Sequence, residues 1–507
     1  MNTLLTFMHA WLARGFLPLL VALSLAHSGR SQDAPPAQPM NILWIMADDL
    51  NAWPLDFQSP YAGGKCIAPN LKKFTESSVN FVHAYTASPT CSPSRTAFLS
   101  GVAPWKSGHY HNLPGGNESE PLINSTPIGE TFKEAGYYLA TAGKISHGYG
   151  SGFPSGPRLN RRDAGGVSKM PLMPVGKGEQ DWGPIEMPEE EMHDTKVADF
   201  AIAELGKAHD QPFFVTCGTF NPHMPWYVPQ KYFDLYPLEE LTVPELPEDD
   251  LDDLPPLALA MTQGKADFVQ RVIQGGHLKS AVQAHLATIT YVDAQFGRIL
   301  DALDESPYRD NTIVILFSDH GFHLGEKNRW QKGTLWEQAT HIPFLIRLPG
   351  NPSNGNTCER FISTLDIYPT LTELCGITPP DTLDGRSLVP LLTDPSAQWE
   401  STAITGSTNK GLPELAHLSI RNELGRYIRY SAAEEEFYDH HKDPKEWTNE
   451  INNPEYSHIV EQMRALLPSI EDTALPMPQQ LKNQGVWKQL RDEQAARREN
   501  QKSKKQN

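Results

Sequence analysis

The sequence predicts an α/β protein: a large, mostly parallel central sheet sandwiched by helices, followed by a smaller C-terminal α+β subdomain. Three observations carry this. First, four unbroken apolar runs occur at Asn41–Ala47, Tyr137–Ala142, Phe213–Thr216 and Asn311–Phe317, as expected of strands covered on both faces in a parallel sheet. Second, amphipathic helical segments alternate with these runs, around Ile128–Glu134, over 189–208 and over Leu278–Leu303, which is the α/β pattern. Third, each run hands over ionisable residues at its carboxyl end: Asp48-Asp49, Lys144 with His147, His223, and Asp319-His320. Ligand sites of open α/β sheets form outside the carboxyl ends of the strands. Each cluster alone also has an ordinary reading, as turn formers, solvated loop residues or a backbone-satisfied histidine. Their common placement is what favours one site.

In chain order, Arg14 precedes an apolar run, Phe16–Ala26, with small Ala26 and Ser28 placed as for cleavage. Residues 1–28 read as a signal peptide and 29–39 as a flexible linker, making the protein exported, periplasmic or secreted. The run is too short to span a bilayer comfortably, so no stable membrane anchor is expected, although an uncleaved anchor is the competing reading. Residues 40–395 form the expected catalytic domain. After the first strand, Asn70–Ser77 is helical, and Phe81–Ala84 leads into C-S-P-S-R-T-A-F-L-S-G, residues Cys91–Gly101. Pro93 suits a helix's first turn and Gly101 its stop, which puts Cys91 at the helix N-terminus, where negative charge is favoured. Arg95, four residues on, lies on the same face as Cys91. A buried cysteine before an ordinary capped helix is the alternative.

The Gly- and Pro-rich stretch Gly148–Gly183 carries Arg158, Arg161, Arg162, Lys169 and Lys177 and reads as a lid over an anionic substrate. Pro222 and Pro225 clamp His223 in an extended loop, and residues 237–257 are placed on the surface. The helix Leu278–Leu303 shows a core stripe of Val282, Leu286, Ile289, Val292, Phe296 and Leu300. On it Tyr291 reads as packing and Asp293 as solvated face. His341–Leu348 is a fifth strand, and Lys332 lies in the polar loop before it. Residues 396–480 form the C-terminal subdomain, with Tyr427–Tyr430 as strand and Ile459–Leu467 as helix, and 481–507 a solvated basic tail.

The formal net charge of -18 and pI of about 5.4 argue against nucleic acid as a partner. An acidic protein acting on an anion must gather its cations locally. Five cysteines are an odd count for an exported chain. Pairing is not fixed by the sequence, though Cys358 with Cys375 is a candidate local bridge. Asn117 and Asn124 lie in N-x-S/T contexts.

C-S-P-S-R followed by L-S-G resembles the C-x-P-S-R-x-x-x-L-x-G signature of the formylglycine-dependent sulfatases. The likeness extends to the iduronate-2-sulfatase branch at N-I-L-W-I-M-A-D-D-L, A-G-K-I-S-H, N-P-H-M-P, F-S-D-H-G-F-H-L-G-E-K-N-R-W-Q-K, L-D-I-Y-P-T-L and F-Y-D-H-H-K-D-P-K-E-W-T-N-E. The resemblance implies an alkaline phosphatase-like fold and conversion of Cys91 to formylglycine by a formylglycine-generating enzyme, with Pro93 and Arg95 as determinants of that modification. It implies a metal site of Asp48, Asp49, Cys91 (as formylglycine), Asp319 and His320, and catalytic or sulfate-holding roles for Lys144, His147, His223 and Lys332. Three aspartates suit Ca²⁺ or Mg²⁺, and Ca²⁺ is the expected ion. His320 departs from the commoner Asp-Asn-Gly form, and its imidazole suits softer metals.

By the same resemblance the aldehyde hydrate is the nucleophile, stabilised by Arg95, with Asp319 accepting its proton. Lys144, His223 and Lys332 balance charge on the sulfuryl group. His223 or Lys332 protonates the leaving oxygen, and His147 deprotonates the second hydroxyl to expel sulfate. The implied activity is hydrolysis of a sulfate ester on an oligosaccharide or polysaccharide. A 2-sulfated uronic acid is the substrate the branch implies, with choline sulfate and marine polysaccharides open. Two rivals stand beside it: a phosphonate or phosphate ester hydrolase of the same superfamily, and a catalytically dead glycan-binding protein.

Overall fold

The computed structural model describes residues 39–56, 66–112, 119–157, 173–176, 179–400, 402–409 and 412–474. The signal peptide, nearly all of the linker, the basic tail, Asn117 and the five basic residues of the expected lid lie outside them. In chain order the strands are β1 (Asn41–Asp48), β2 (Val79–Tyr85), β3 (Tyr138–Gly143), β4 (Trp182–Ile185), β5 (Phe213–Pro222), β6 (Trp226–Pro229), β7 (Thr312–Ser318), β8 (His323–Leu324), β9 (Trp330–Gln331), β10 (His341–Ile342), β11 (Phe344–Arg347), β12 (Thr357–Ser363), β13 (Ala403–Asn409), β14 (Leu412–Asn422), β15 (Gly425–Arg429) and β16 (Glu435–Tyr438).

The central sheet has β1 in its middle, with β7 and β5 parallel on either side and β3 parallel beyond β5. On the other flank β10 and β11 both run antiparallel to β2, interrupted at Pro343, and β12 lies parallel to β2. The fifth strand expected at His341–Leu348 is thus present but reversed, since β11 is antiparallel to β7 as well.

The unbroken apolar run of β1 has a direct cause. Successive side chains of a strand point to opposite faces, and both faces of β1 are core. Ile42, Trp44 and Met46 pack with Phe98, Ile128 and Phe132. Leu43, Ile45 and Ala47 pack with Val197, Ala201, Leu286 and Ile289, which belong to the helices His193–Leu205 and Leu278–Glu305. The Trp44 ring sits 4.9 Å from Phe317 and 5.6 Å from Phe98 between centroids. Each such buried side chain contributes roughly 1.5–3 kcal/mol, so a single Ile45→Asp exchange would open the sheet at its centre.

Several expectations are corrected here. Asp293 is not on a solvated face: it is buried, and its carboxylate accepts the N–H groups of Asn70 (3.1 Å) and Leu71 (2.7 Å), capping the helix Pro69–Thr75. Asp250, in a stretch expected on the surface, is buried against Lys327 at 2.6 Å. Cys358 and Cys375 are both free thiols, as are the other three cysteines.

The C-terminal part forms a four-stranded antiparallel sheet in the order β13-β14-β15-β16. The helix Ser457–Leu466 lays Val460 and Met463 on Leu418, Ile420, Tyr427 and Phe437. This sheet is stitched to the catalytic part by Thr405 Oγ1, which donates to Thr86 O at 2.6 Å, and by Gly406 N, which donates to Ala87 O at 2.9 Å. Among the described residues no helix is long and apolar enough to cross a membrane.

Candidate active site

The site is assembled from five strand ends and one helix start. The helix Cys91–Ser100 begins where expected and stops at Gly101, whose φ of 74° is the left-handed geometry a helix-ending glycine supplies. All ten of its residues are buried. Cys91 Sγ lies 2.9 Å from Lys332 Nζ, 3.2 Å from His320 Nε2 and 3.5 Å from Asp48 Oδ1.

Asp48 and Asp49 reach the same point for a reason the sequence hides. Neighbouring residues of an extended strand face opposite ways, but Asp49 adopts a φ of 71°. Left-handed backbone is open to Asp at modest cost, and it turns both carboxylates inward. Asp48 bonds Lys144 Nζ. Asp49 Oδ1 bonds Lys332 Nζ at 2.6 Å and lies 3.3 Å from His320 Nδ1, and His223 Nε2 approaches Asp49 Oδ2 to 4.0 Å.

Arg95 is fully buried. Its Nε donates to Asp319 Oδ2 at 2.8 Å, its Nη1 donates to the carbonyls of Lys144 and Ile145, and its Nη2 lies 3.5 Å from Asp48 Oδ1. Asp319 Oδ1 accepts the backbone N–H groups of Asp49 (3.2 Å) and His320 (3.0 Å).

Electrostatics follow from burying so many charges together. Burial works against ionisation of Asp48, yet Lys144, His223, Arg95 and Lys332 outweigh it and hold this carboxyl well below its usual range. Asp49 goes the other way: burial, only partly offset by Lys332 and His320, lifts it to about 7. Burial and Asp48 oppose ionisation of the Cys91 thiol, but Lys144, Lys332 and His320 keep it well below the ordinary thiol value. Burial would discharge His320, and the neighbouring Asp319 reverses that, raising it to about 9. His223 is held well below its ordinary value by burial and by Lys332.

The donor set fits a divalent cation. Ligand atoms of Asp48, Asp49, Cys91 and His320 lie within 4.8 Å of one another, and Asp49 Oδ2 is buried without a hydrogen-bond partner, an arrangement that costs stability unless something satisfies it. Asp319, the remaining expected ligand, is outside that set: both its oxygens are engaged, by Arg95 and by backbone N–H groups. A second acidic cluster, Glu337, His440 and Glu446, has a different character. Arg426 reaches both of its carboxylates, Arg421 adds to Glu337 at 3.6 Å, and Tyr85 Oη donates to Glu337 at 2.9 Å. It is a charge-compensated joint between the two sheets rather than an open cation site.

Of the residues singled out in the sequence, Cys91, Arg95, Asp48, Asp49, Lys144, His223, Asp319, His320 and Lys332 come together. His147 does not reach the thiol. Its side chain is exposed, and its carbonyl accepts from Ser92 Oγ at 2.8 Å.

The sequence reading missed the supports. Asp194 accepts the N–H groups of Phe220 (2.7 Å) and Asn221 (2.9 Å), fixing the loop that carries His223. Ser94 Oγ donates to Asp319 O at 2.7 Å. His109, buried and pushed down to about 4 by its burial, meets Ser92 Oγ at 2.9 Å. Only Asp194 left a local trace, as an acidic residue opening a helix.

Comparison with known proteins agrees with this geometry. The family model "Sulfatase" matches residues 40–377, and "N-sulphoglucosamine sulphohydrolase, C-terminal" matches 325–473. A sulfatase of Formosa agariphila is 35% identical over 85% of this chain and 87% of its own length. Iduronate 2-sulfatase of Homo sapiens is 28% identical over 75% of this chain and 73% of its own length. Among solved structures, a phosphonate monoester hydrolase from Silicibacter pomeroyi superposes with a TM-score of 0.71 over 84% of this chain and 94% of its own, at 21% identity, a likeness of fold alone. With the family model spanning most of the catalytic part and a 35% identical relative covering most of the chain, this protein belongs to the sulfatase family and is a sulfuric ester hydrolase.

Proposed function

We propose that the chain is an exported enzyme that removes sulfate from a sulfated saccharide, with Cys91 matured to formylglycine by a formylglycine-generating enzyme. Residues Asp48, Asp49, His320 and the matured residue 91 would hold Ca²⁺, with Asp319 lending an oxygen beyond its bonds to Arg95 and to the backbone N–H groups of Asp49 and His320. When bound, the cation lowers the pKa of an oxygen it touches and offsets charge on a sulfate. The aldehyde supplies a geminal diol, so that one hydroxyl can attack sulfur while the other remains to release sulfate, an exit a plain serine ester lacks.

The chain's own groups do the rest. Arg95 keeps its Nη2 facing Asp48 without a hydrogen bond of its own, a fixed positive charge beside residue 91. Asp319 is the proton acceptor in this reading, and His320 stands between it and residue 91, its Nε2 3.6 Å from Asp319 Oδ2 and 3.2 Å from Sγ. Lys144 and Lys332 bring donors to the sulfuryl oxygens, where charge develops in the transition state, with His223 beside them, and either Lys332 or His223, once it has taken up a proton, protonates the leaving oxygen. His147, on the exposed rim, serves the release step.

The observation that carries the reading is the approach of one buried sulfur to an aspartate, a histidine and a lysine from three different strand ends. The test is peptide mass mapping across residue 91 of active enzyme together with desulfation of defined sulfated oligosaccharides, 2-O-sulfated uronates among them. An aldehyde at residue 91 with turnover supports it; turnover with an unmodified thiol refutes the mechanism.

The fold likeness to a phosphonate monoester hydrolase gives a second reading, of phosphorus ester hydrolysis. The ratio of kcat/KM on paired aryl sulfate and aryl phosphonate esters decides between them, and a preference for the phosphonate favours the second.

A further inference from the structure

Lys332 reaches the nucleophile from a strap of unusual backbone. Between Gly325 and Gly333, residues Lys327, Asn328 and Gln331 have φ of 53°, 47° and 72°, and the two glycines 122° and 90°. Left-handed backbone is unfavourable for a residue with a Cβ and persists only where surrounding structure enforces it.

A buried lysine and a half-buried arginine enforce it here. Lys327 Nζ bonds Asp250 Oδ1 at 2.6 Å, and its backbone N–H bonds the other oxygen of that carboxylate at 3.1 Å. Arg329 grips the far end. Its Nη2 donates to Lys332 O at 2.7 Å, its Nε points to the same oxygen at 3.3 Å, and its Nη1 donates to Met261 O at 2.8 Å, in the helix Pro256–Gln274. Every bond shown for this guanidinium ends on a carbonyl and none on an acid, and burial alone lowers its pKa to about 10. A planar fork of N–H donors spent on carbonyls is a clamp on backbone.

The oxygen it clamps belongs to the peptide unit joining Lys332 to Gly333. The N–H of that same unit donates to Pro89 O at 2.8 Å, two residues before Cys91. Both ends of one peptide plane are therefore held, the N–H by the segment that carries the nucleophile and the C=O by Arg329. A fixed plane after Lys332 fixes where its side chain starts, and its ammonium ends 2.9 Å from Cys91 Sγ and 2.6 Å from Asp49 Oδ1.

We propose that Arg329 is a positioning residue for Lys332, gripping the 332–333 peptide so that the ammonium meets the residue-91 nucleophile in one direction. This rests on Lys332 taking part in sulfate ester hydrolysis. A displacement of about 1 Å in such a group costs on the order of a hundredfold in rate, so a partial release of the clamp is expected to cost about tenfold.

The test is a double-mutant cycle in the full-length matured enzyme, joined to a crystal structure of the Arg329→Gln variant. Arg329→Gln is expected to lower kcat/KM about tenfold in the wild-type background and less than about twofold beside Lys332→Ala, because groups acting as a unit are not additive. In the crystal, Lys332 Nζ is expected to leave its place beside residue 91 while the central sheet is unchanged. Equal factors in the two backgrounds, or an unmoved Lys332, overturn the proposal. If the glutamine variant does not fold, Arg329→Lys, which keeps the charge and loses the fork, is carried through both measurements by the same criteria. A wild-type enzyme inert on every sulfate ester would sink the functional reading, and the crystallographic arm would still judge the clamp.

Discussion

His285 offers a stability test whose size can be worked out from the structure. It sits in the helix Leu278–Glu305, 1% exposed, with its ring 4.9 Å from Trp226, stacked at 5.6 Å on Phe322 and 6.0 Å from Trp53. Neither ring nitrogen has a hydrogen-bond partner, and burial pushes the imidazole down to about 3. The unfolded chain takes up this proton near pH 6.5, whereas the folded chain refuses it until about pH 3. Stability from this residue is therefore complete above pH 6.5 and is lost as pH falls towards 3, at about 1.36 kcal/mol per unit. Between pH 6.5 and 4.5 the loss amounts to about 2.7 kcal/mol. His285→Phe removes it. Urea unfolding of both proteins at pH 7.5 and pH 4.5 is the assay. Packing changes and the relief of two unsatisfied nitrogens enter equally at both pH values, so the difference between the two comparisons isolates the proton. It is expected to favour phenylalanine by about 2–3 kcal/mol at the lower pH. A stability difference that does not change with pH would show that the folded ring accepts a proton readily, and the reasoning would be wrong.

Arg95→Met leaves Asp319 and Asp48 buried without their shared cation, and breaking such a pair costs about 3–5 kcal/mol; denaturant unfolding of protein that has not been matured measures this apart from any effect on maturation. Asp194→Asn exchanges a charged acceptor of two backbone N–H groups for a neutral one with a single acceptor oxygen. A loss of about 1.5–3 kcal/mol is expected, with a fall in kcat/KM as the His223 loop shifts, while Asp194→Glu, which keeps the charge on a longer side chain, is the control. Added Ca²⁺ at a hundred times its dissociation constant should raise folding stability by about 2.7 kcal/mol, read as a higher Tm, and Asp49→Asn should remove most of that gain. An unchanged Tm across Ca²⁺ concentrations would speak against the assigned ion.

What the sequence revealed about this fold was whatever a strand or a helical turn settles by itself. The run Asn41–Ala47 is legible because its alternate residues enter two separate cores, so every position must be apolar. The spacing from Cys91 to Arg95 is legible because four residues are one helical turn. The direction of β11 was not, because a run as short as F-L-I-R looks the same pointing either way. The inward turn of both carboxylates at Asp48-Asp49 was not, because it depends on one φ angle. Nor was the capping role of Asp293, whose partners Asn70 and Leu71 lie more than two hundred positions away; with no neighbour in sequence to mark it, a buried acid on a helix reads as a solvated one.

The same division separates two kinds of support within the site. Asp48, Lys144 and Asp319 stand at or next to the ends of sheet strands β1, β3 and β7, held by ladders that cross the whole core. Lys332 and His223 follow the ends of β9 and β5 in a strap and a loop whose shape also depends on side chains away from the ladders, Arg329 and Asp194 among them. A change at a strand end removes a group that nothing else can replace, whereas a change at Arg329 or Asp194 leaves the group present and moves it. Adaptation of this scaffold to a different sulfated alcohol is therefore expected to run through the second pair, since small displacements of Lys332 and His223 re-aim the donors around the substrate without touching the nucleophile or the carboxylates beneath it.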